Sequence, residues 1–289
     1  MTDSTLDAPA AEPLDESTAL TLLARGELEL EGLLAEASNT TLRAVISVDG
    51  LQARCIYKPV RGERPLWDFP DGTLAGRELA AYLVSSVGGW GVTPPTVLRD
   101  GPLGPGMCQL WLDEAHAQTA EQLVGFVAAD AVPEGWLPVA EAEGPGGEPY
   151  LLAHADDPRL AAIAVFDVVV NNADRKGGHV LSTASGQVHG VDHGVCFHTD
   201  DKLRTVLWGW TGQPLRDPER DRLRRLLDRL GRPARGRDAA TPDGTLATRL
   251  AEHISSDEIK ATETRVNRLL AAGVYPAPGD WPALPWPPL

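Results

Sequence analysis

The sequence predicts an α+β fold in two lobes: an amino-terminal antiparallel β-sheet carrying one helix, then a mainly helical carboxy-terminal half. Three observations carry that expectation. Two β-forming runs meet at Asp49-Gly50, a dipeptide that marks a tight hairpin when it lies between apolar runs. The most apolar run of the chain, Leu160 to Val170, follows Asp157-Pro158, a helix cap followed by a proline suited to the first helical position. The length of 289 residues suits one two-lobed globule, because single cores stop growing near ~250–300 residues.

Taken in order, Met1 to Ser17 is rich in Asp, Glu, Ala, Pro, Ser and Thr and is expected to form a mobile acidic tail. The first lobe then covers residues 18–112. Leu28 to Leu34, Thr41 to Val48 and Gln52 to Val60 read as strands. Thr73 to Val87 reads as a helix capped by Thr73, with Leu74, Leu79, Tyr82, Leu83 and Val87 on one face. Thr96 to Arg99 and Met107 to Leu112 complete the sheet. The second lobe, residues 113–274, opens with a predicted helix over Thr119 to Ala129 and a loop through Gly144-Pro145-Gly146-Gly147. The buried helix Leu160 to Val170 follows. Next come a hairpin, Val180 to Thr183 and Gln187 to Val191 around Ala184-Ser185-Gly186, and helices over Asp217 to Leu230 and Asp257 to Ala271. Residues 275–289 hold six prolines and two tryptophans, which forbids a regular helix and favours an extended segment. Trp281 and Trp286 are expected to pin this tail to the body.

Charge narrows the function. Lys and Arg number 26 against 41 Asp and Glu, a net charge of −15, and such a field repels nucleic acid and anionic bilayers. Nucleic acid is not expected as a partner. Cys55, Cys108 and Cys196 are widely spaced and lack zinc-site spacing, so they read as buried free thiols in a reducing compartment. No basic-then-apolar leader and no run of ~18 apolar residues occurs, so a cytoplasmic protein without integral membrane association is expected.

The densest polar cluster, Asn171-Asn172-Ala173-Asp174-Arg175-Lys176-Gly177-Gly178-His179, directly follows the apolar run. The hairpin after it returns the chain to Asp192-His193-Gly194, so out-and-back strands of similar length bring Asp192 near Asp174 and His179. Two carboxylates in one place are costly unless a cation or a proton separates them. A divalent metal suits that place. In phosphoryl transfer, one acid can orient the attacking hydroxyl while the other holds magnesium against nucleotide phosphates.

Asp-Arg-Lys-Gly-Gly-His followed by Asp-His-Gly resembles the Asp-Arg-His-x-x-Asn and Asp-Phe-Gly elements of phosphatidylinositol 3-/4-kinase-like catalytic domains, and is similar to HipA-type and other atypical kinases. With Tyr57-Lys58-Pro59, the Glu78 helix and Ser38-Asn39-Thr40, the resemblance covers roughly residues 28–230. It implies a two-lobed protein-kinase-like fold that uses ATP with Mg2+ or Mn2+. It further implies that Lys58 reaches the nucleotide phosphates and pairs with Glu78, with Glu63 as the competing partner. Ser38, Asn39 and Thr40 would cover the phosphates, and Gln109, Leu110, Trp111 and Leu112 would meet adenine. Asp174 would orient the acceptor and Asp192 would bind metal. Lys176 stands where the lipid-kinase pattern has His, and His179 where most of these kinases have a metal-binding Asn. An imidazole is a poorer ligand for magnesium than an amide oxygen and suits manganese or zinc better. The net charge and the lack of a basic amphipathic helix point away from lipid and toward a protein or small-molecule hydroxyl. A nucleotide-binding pseudokinase and a nucleotidyltransferase that moves AMP are the alternatives.

Plainer readings stand beside these. Asp174 could be a turn residue after a helix, and Lys58 a solvated lysine at a strand end. Asp167, the one charge in the apolar run, is expected to be a buried acceptor tying down the catalytic loop. His189 and His193 read as hairpin residues, and the arginines from Arg216 to Arg237 as a solvated helix face. Trp208 and Trp210 read as anchors, with a substrate-facing wall as the alternative.

Overall fold

The computed structural model describes residues 14–34, 39–70, 73–112, 122–230 and 245–289. Ser38, part of the predicted Thr119 to Ala129 helix, and Arg232, Arg235 and Arg237 lie outside them. The fold is α+β. Helix α1 (Glu16–Arg25) leads into strands β1 (Glu27–Leu33), β2 (Leu42–Val48) and β3 (Leu51–Pro59), helix α2 (Leu74–Gly88), and strands β4 (Thr96–Gly101) and β5 (Gly104–Leu110). The five strands form one antiparallel sheet in the order β1-β2-β3-β5-β4. Asp49 and Gly50 both take positive φ at the β2–β3 turn, as a tight hairpin requires.

The two faces of this sheet have different jobs. Leu22 and Leu23 of α1 pack with Ala44, Ile46, Cys55 and Cys108 on one face. Side chains alternate along a strand, so Lys58 leaves β3 on the opposite face from Cys55 and Tyr57, toward α2. The pairings Leu33 with Leu42 and Leu42 with Tyr57 bring the β1–β2 connection to the same end of the sheet as Lys58.

The second half holds a sheet that the sequence reading did not anticipate. Strands β6 (Val124–Ala128), β7 (Trp136–Glu143) and β8 (Pro149–Ala155) pair in the order β6-β8-β7. Val124 to Ala128 was expected to be helical. Its Val, Phe and Val side chains suit a strand, and pairing with the sequence-distant β8 overrides the helical pattern. The buried helix α3 (Pro158–Val170) follows, capped by Asp157, whose carboxylate accepts the Arg159 N–H at 2.7 Å. The short hairpin β9 (Val180–Ser182) and β10 (Val188–Gly190) comes next, then α4 (Asp217–Leu230), α5 (Leu246–Leu250) and α6 (Ser256–Ala272). Helix α3 forms the centre of the large core with Trp90, Phe197, Trp210, Leu223 and Val266.

Helix α1 also departs from expectation, since it starts inside the stretch assigned to the mobile tail. Asp15 caps it by accepting the Thr18 N–H, and Ala19, Leu22 and Leu23 are fully buried. The three cysteines are free and buried. Among the described residues, no helix is long and apolar enough to cross a membrane.

Candidate active site

Lys58 joins the two lobes. Its ammonium lies 2.7 Å from Glu78 Oε1 and 2.8 Å from Asp192 Oδ1. Burial works against its charge, but Asp192 and then Glu78 more than offset this and hold its pKa above the ordinary lysine value. Glu78 is 1% exposed, and its second oxygen accepts the His193 backbone N–H at 2.9 Å. The lysine, the helix and the Asp192-His193-Gly194 segment are therefore one unit. Glu63, the competing partner, does something else: its two oxygens accept the N–H groups of Leu74 and Ala75 at 2.9 and 2.8 Å. There it satisfies orphan donors at the start of α2 and complements the helix dipole.

Asp192 has φ 61°, in the left-handed region that non-glycine residues seldom adopt. Its carboxylate is half exposed. Lys58 first, then His179, drives its pKa below the usual carboxylate value against the effect of burial. His179 Nε2 lies 3.5 Å from Asp192 Oδ2, and burial lowers the imidazole pKa to about 4, so His179 is neutral near pH 7. Among the described residues, no group of three His, Cys, Asp or Glu side chains is arranged to hold a metal ion. The Asp192–His179 pair supplies one oxygen and one nitrogen donor, and an ion there would need its remaining ligands from substrate oxygens or water.

Asp174 sits on the loop after α3. Its N–H donates to Asn172 Oδ1 at 2.9 Å, and Lys176 Nζ lies 3.4 Å from its Oδ2. Burial raises its pKa above the usual carboxylate value, with Asp192 adding to the rise and Lys176 and Arg204 opposing it.

The loop is held from beneath by a network that the sequence showed only in part. Asp167 and Arg175 are both fully buried, and Asp167 accepts Arg175 Nε at 2.9 Å, Arg175 Nη2 at 2.9 Å and Asn172 Nδ2 at 3.1 Å. Arg175 also donates to the carbonyls of Val191 at 2.8 Å and His179 at 3.2 Å. Its Nη2 lies 2.7 Å from His193 Nε2; burial first, then Arg175, keeps His193 neutral. One guanidinium thus ties the Asp174 loop to the Asp192 segment. The signal for it was Asp167, a lone acid in an apolar helix that required a buried cation.

The remaining predicted residues are placed as follows. Thr40 N–H donates to the Gly62 carbonyl at 3.3 Å, and Asn39 Oδ1 accepts the Arg64 N–H at 2.9 Å, so this part of the β1–β2 connection is fastened to the segment after Lys58. Gln109 is buried, and its amide donates to Thr96 Oγ1 at 2.9 Å on the Lys58 face of the sheet. Leu110 turns the other way, packing against the α1 side. The N–H groups of Leu110 and Trp111 are bonded to the carbonyls of Pro95 and Arg54. Leu110 therefore brings no side chain to the cleft, a consequence of strand alternation. Leu112 closes the described part of this connection, half-buried.

No family model matches the chain. Protein Rv2133c of Mycobacterium tuberculosis is 47% identical over 272 residues, covering 92% of this chain and 94% of that one. The chain belongs to the Rv2133c family. Among solved structures, a Golgi casein kinase matches with a TM-score of 0.50 and 13% identity, over 90% of this chain and 75% of that chain. At that identity the likeness shows the fold alone: this member of the Rv2133c family has a kinase-like fold, with an antiparallel sheet lobe set against a helical one.

Proposed function

We propose that the protein is an ATP-dependent phosphotransferase that passes the γ-phosphate to a hydroxyl group, with Mg2+ or Mn2+ as cofactor. The observation that carries this reading is Lys58 set between Glu78 and Asp192 at 2.7 and 2.8 Å, with the Asp174 loop tied to the Asp192 segment by Arg175, which donates to the Val191 carbonyl at 2.8 Å. A cation held by one carboxylate from each lobe is suited to meet phosphate oxygens at the cleft. The sequence resemblance to phosphatidylinositol 3-/4-kinase-like and HipA-type kinases supports the same assignment.

Each residue then has one task. Lys58 neutralises phosphate charge, and Glu78 keeps its ammonium in place. Asp192 and the neutral His179 would hold the metal, which supplies further neutralisation of the triphosphate. Asn39 and Thr40 cover the phosphates, and Gln109, Trp111 and Leu112 receive adenine. Asp174 accepts a hydrogen bond from the acceptor hydroxyl and orients it, and its raised pKa favours taking the proton as the oxygen bonds to phosphorus. Lys176 beside it offsets the negative charge gathered there.

Incubation with γ-labelled ATP, Mg2+ or Mn2+ and a lysate, beside Asp174→Asn and Asp192→Ala, tests the proposal. The expected result is label transfer by the native chain. Asp174→Asn should keep nucleotide affinity while losing turnover by about 100-fold or more, the scale of removing a general base. Asp192→Ala should weaken metal-dependent nucleotide binding. Equal nucleotide binding by Asp192→Ala would overturn the assignment. Unchanged behaviour of Asp174→Asn would favour a pseudokinase, and label from α-labelled ATP on the product would mean nucleotidyl transfer.

A further inference from the structure

The reading above leaves the acceptor open, and one part of the fold bears on it directly. Residues 281–289 run across the loop that carries Asp174. The Pro288 carbonyl accepts the Gly177 N–H at 2.8 Å, three residues past Asp174. The Ala283 carbonyl accepts both the Thr205 N–H at 3.1 Å and the Trp208 indole N–H at 2.9 Å. Thr205 is itself bridged to Arg175. The segment therefore lies along the seam between the catalytic loop and the stretch following Asp192. In the proposed reaction nucleotide approaches Asp174 from the Lys58 side, whereas residues 281–289 bond to Gly177, Thr205 and Trp208. The seam borders the same loop on a second side, through Gly177 and Arg175, and is the approach considered for the acceptor.

The segment is held by Trp281 and its prolines and not by Trp286, which was expected to pin it but is 87% exposed. Pro285 and Pro288 are buried and Leu284 packs on the core. With prolines at 282, 285, 287 and 288, the backbone has few N–H groups to satisfy and presents carbonyls to the donors of the seam. At its start, Trp281 closes a cage around the Lys202 ammonium. Ring centroids of Trp281, Trp67 and Phe69 lie 4.8, 5.0 and 5.9 Å from Nζ, and Asp68 Oδ2 lies at 2.9 Å. The cage ties the segment to the connection between β3 and α2 and to the chain following Asp192. Finally, residues 276–289 contain no Ser, Thr or Tyr, so this stretch beside Asp174 offers no hydroxyl and cannot be a phosphate acceptor.

We infer that residues 281–289 form a fixed wall of the acceptor site, which denies an extended polypeptide the track along the catalytic loop and restricts the acceptor to a small hydroxyl compound. The inference rests on the phosphotransferase reading and sharpens its substrate class.

The test compares the full chain, a chain ending at Asp280 and Trp281→Ala, which loosens the cage while keeping the segment. Three quantities are read: ATP binding by calorimetry, ADP release with water as the smallest acceptor, and transfer of γ-label to dephosphorylated casein. The full chain is expected to bind ATP and release ADP while leaving casein at background. The shortened chain should label casein at least tenfold faster with ADP release within twofold, and Trp281→Ala should change in the same direction. Casein labelling by the full chain as fast as by the shortened one overturns the inference. So does a parallel rise in casein labelling and ADP release, which would mark the segment as inhibitory rather than size-selecting. Hydrogen exchange reads the wall without any reaction: the Gly177 and Thr205 amides should exchange slowly in the full chain and at least tenfold faster in Trp281→Ala. Fast exchange in the full chain overturns the wall itself. Absence of ATP binding in every chain, with those amides protected, overturns the phosphotransferase reading and leaves the wall in place.

Discussion

Replacing Asp167 by Ala should be among the most damaging single changes available, although Asp167 is not proposed to touch nucleotide, metal or acceptor. Both members of the Asp167–Arg175 pair are fully buried, and the carboxylate accepts from Arg175 and Asn172. Removing it strands a guanidinium that cannot lose its charge, and breaking a buried pair from one side costs about 3–5 kcal/mol. For a chain of this size, with about 2.1 cal/mol/K of unfolding entropy per residue, that is a fall in Tm of roughly 5–8 °C. The double replacement Asp167→Leu with Arg175→Met removes both charges, but it leaves the carbonyls of Val191 and His179 and the His193 ring without their donor. Each orphaned group costs about 1 kcal/mol or more, so the double variant should recover stability relative to Asp167→Ala without reaching the native value. Urea unfolding of the native chain, Asp167→Leu, Arg175→Met and the double variant gives the coupling directly, expected at about 3 kcal/mol. A single variant that loses less than about 1 kcal/mol, or a coupling near zero, would refute the claim that this pair holds the loop.

Two further outcomes follow from the site. Burial lowers His179 from an ordinary 6.5 to about 4, so the unfolded chain takes up the proton first. The contribution of this group to stability is whole above pH 6.5 and is lost as pH falls toward 4, by about 3 kcal/mol across the window. Urea titrations at pH 7 and 4.5 should show a steeper loss in the native chain than in His179→Asn, and identical losses would exclude His179 as a source. Gly106 faces Pro59 across the β3–β5 pair, where an added methyl would meet the Lys58 carbonyl oxygen at 2.6 Å, Tyr57 Cε2 at 2.7 Å and Pro59 Cα at 2.8 Å. Gly106→Ala should therefore cost about 1–3 kcal/mol by forcing the strands apart. Gly32→Ala, with nothing within 4 Å of the new methyl, should stay within about 0.5 kcal/mol, and thermal melts compare the two.

What was legible in the sequence was local or was a demand. Asp49-Gly50, the Thr73 cap and Asp157-Pro158 each act within a few residues, and the structure has a turn or a helix start at each. Asp167 made a demand, since a buried acid needs a partner, although its partner Arg175 was not named. The rest depended on pairings across the chain. Glu63 and Glu78 could not be ranked by spacing, because the choice turns on Glu63 binding the two free N–H groups at the start of α2. With Glu63 spent there, the helix is set and Glu78 is carried about one turn further, to Lys58. The β6-β8-β7 sheet was hidden because β7 breaks its own alternation at Pro138, and its strands gain their hydrogen bonds only from one another. The tail shows the same limit most sharply. Its prolines ruled out a helix, but its path was decided by amides at Gly177 and Thr205, more than a hundred and some eighty residues away respectively from the carbonyls they meet. A proline-rich segment is short of donors, and a loop that turns back on itself has donors to spare. That complementarity becomes visible only once the fold brings them together.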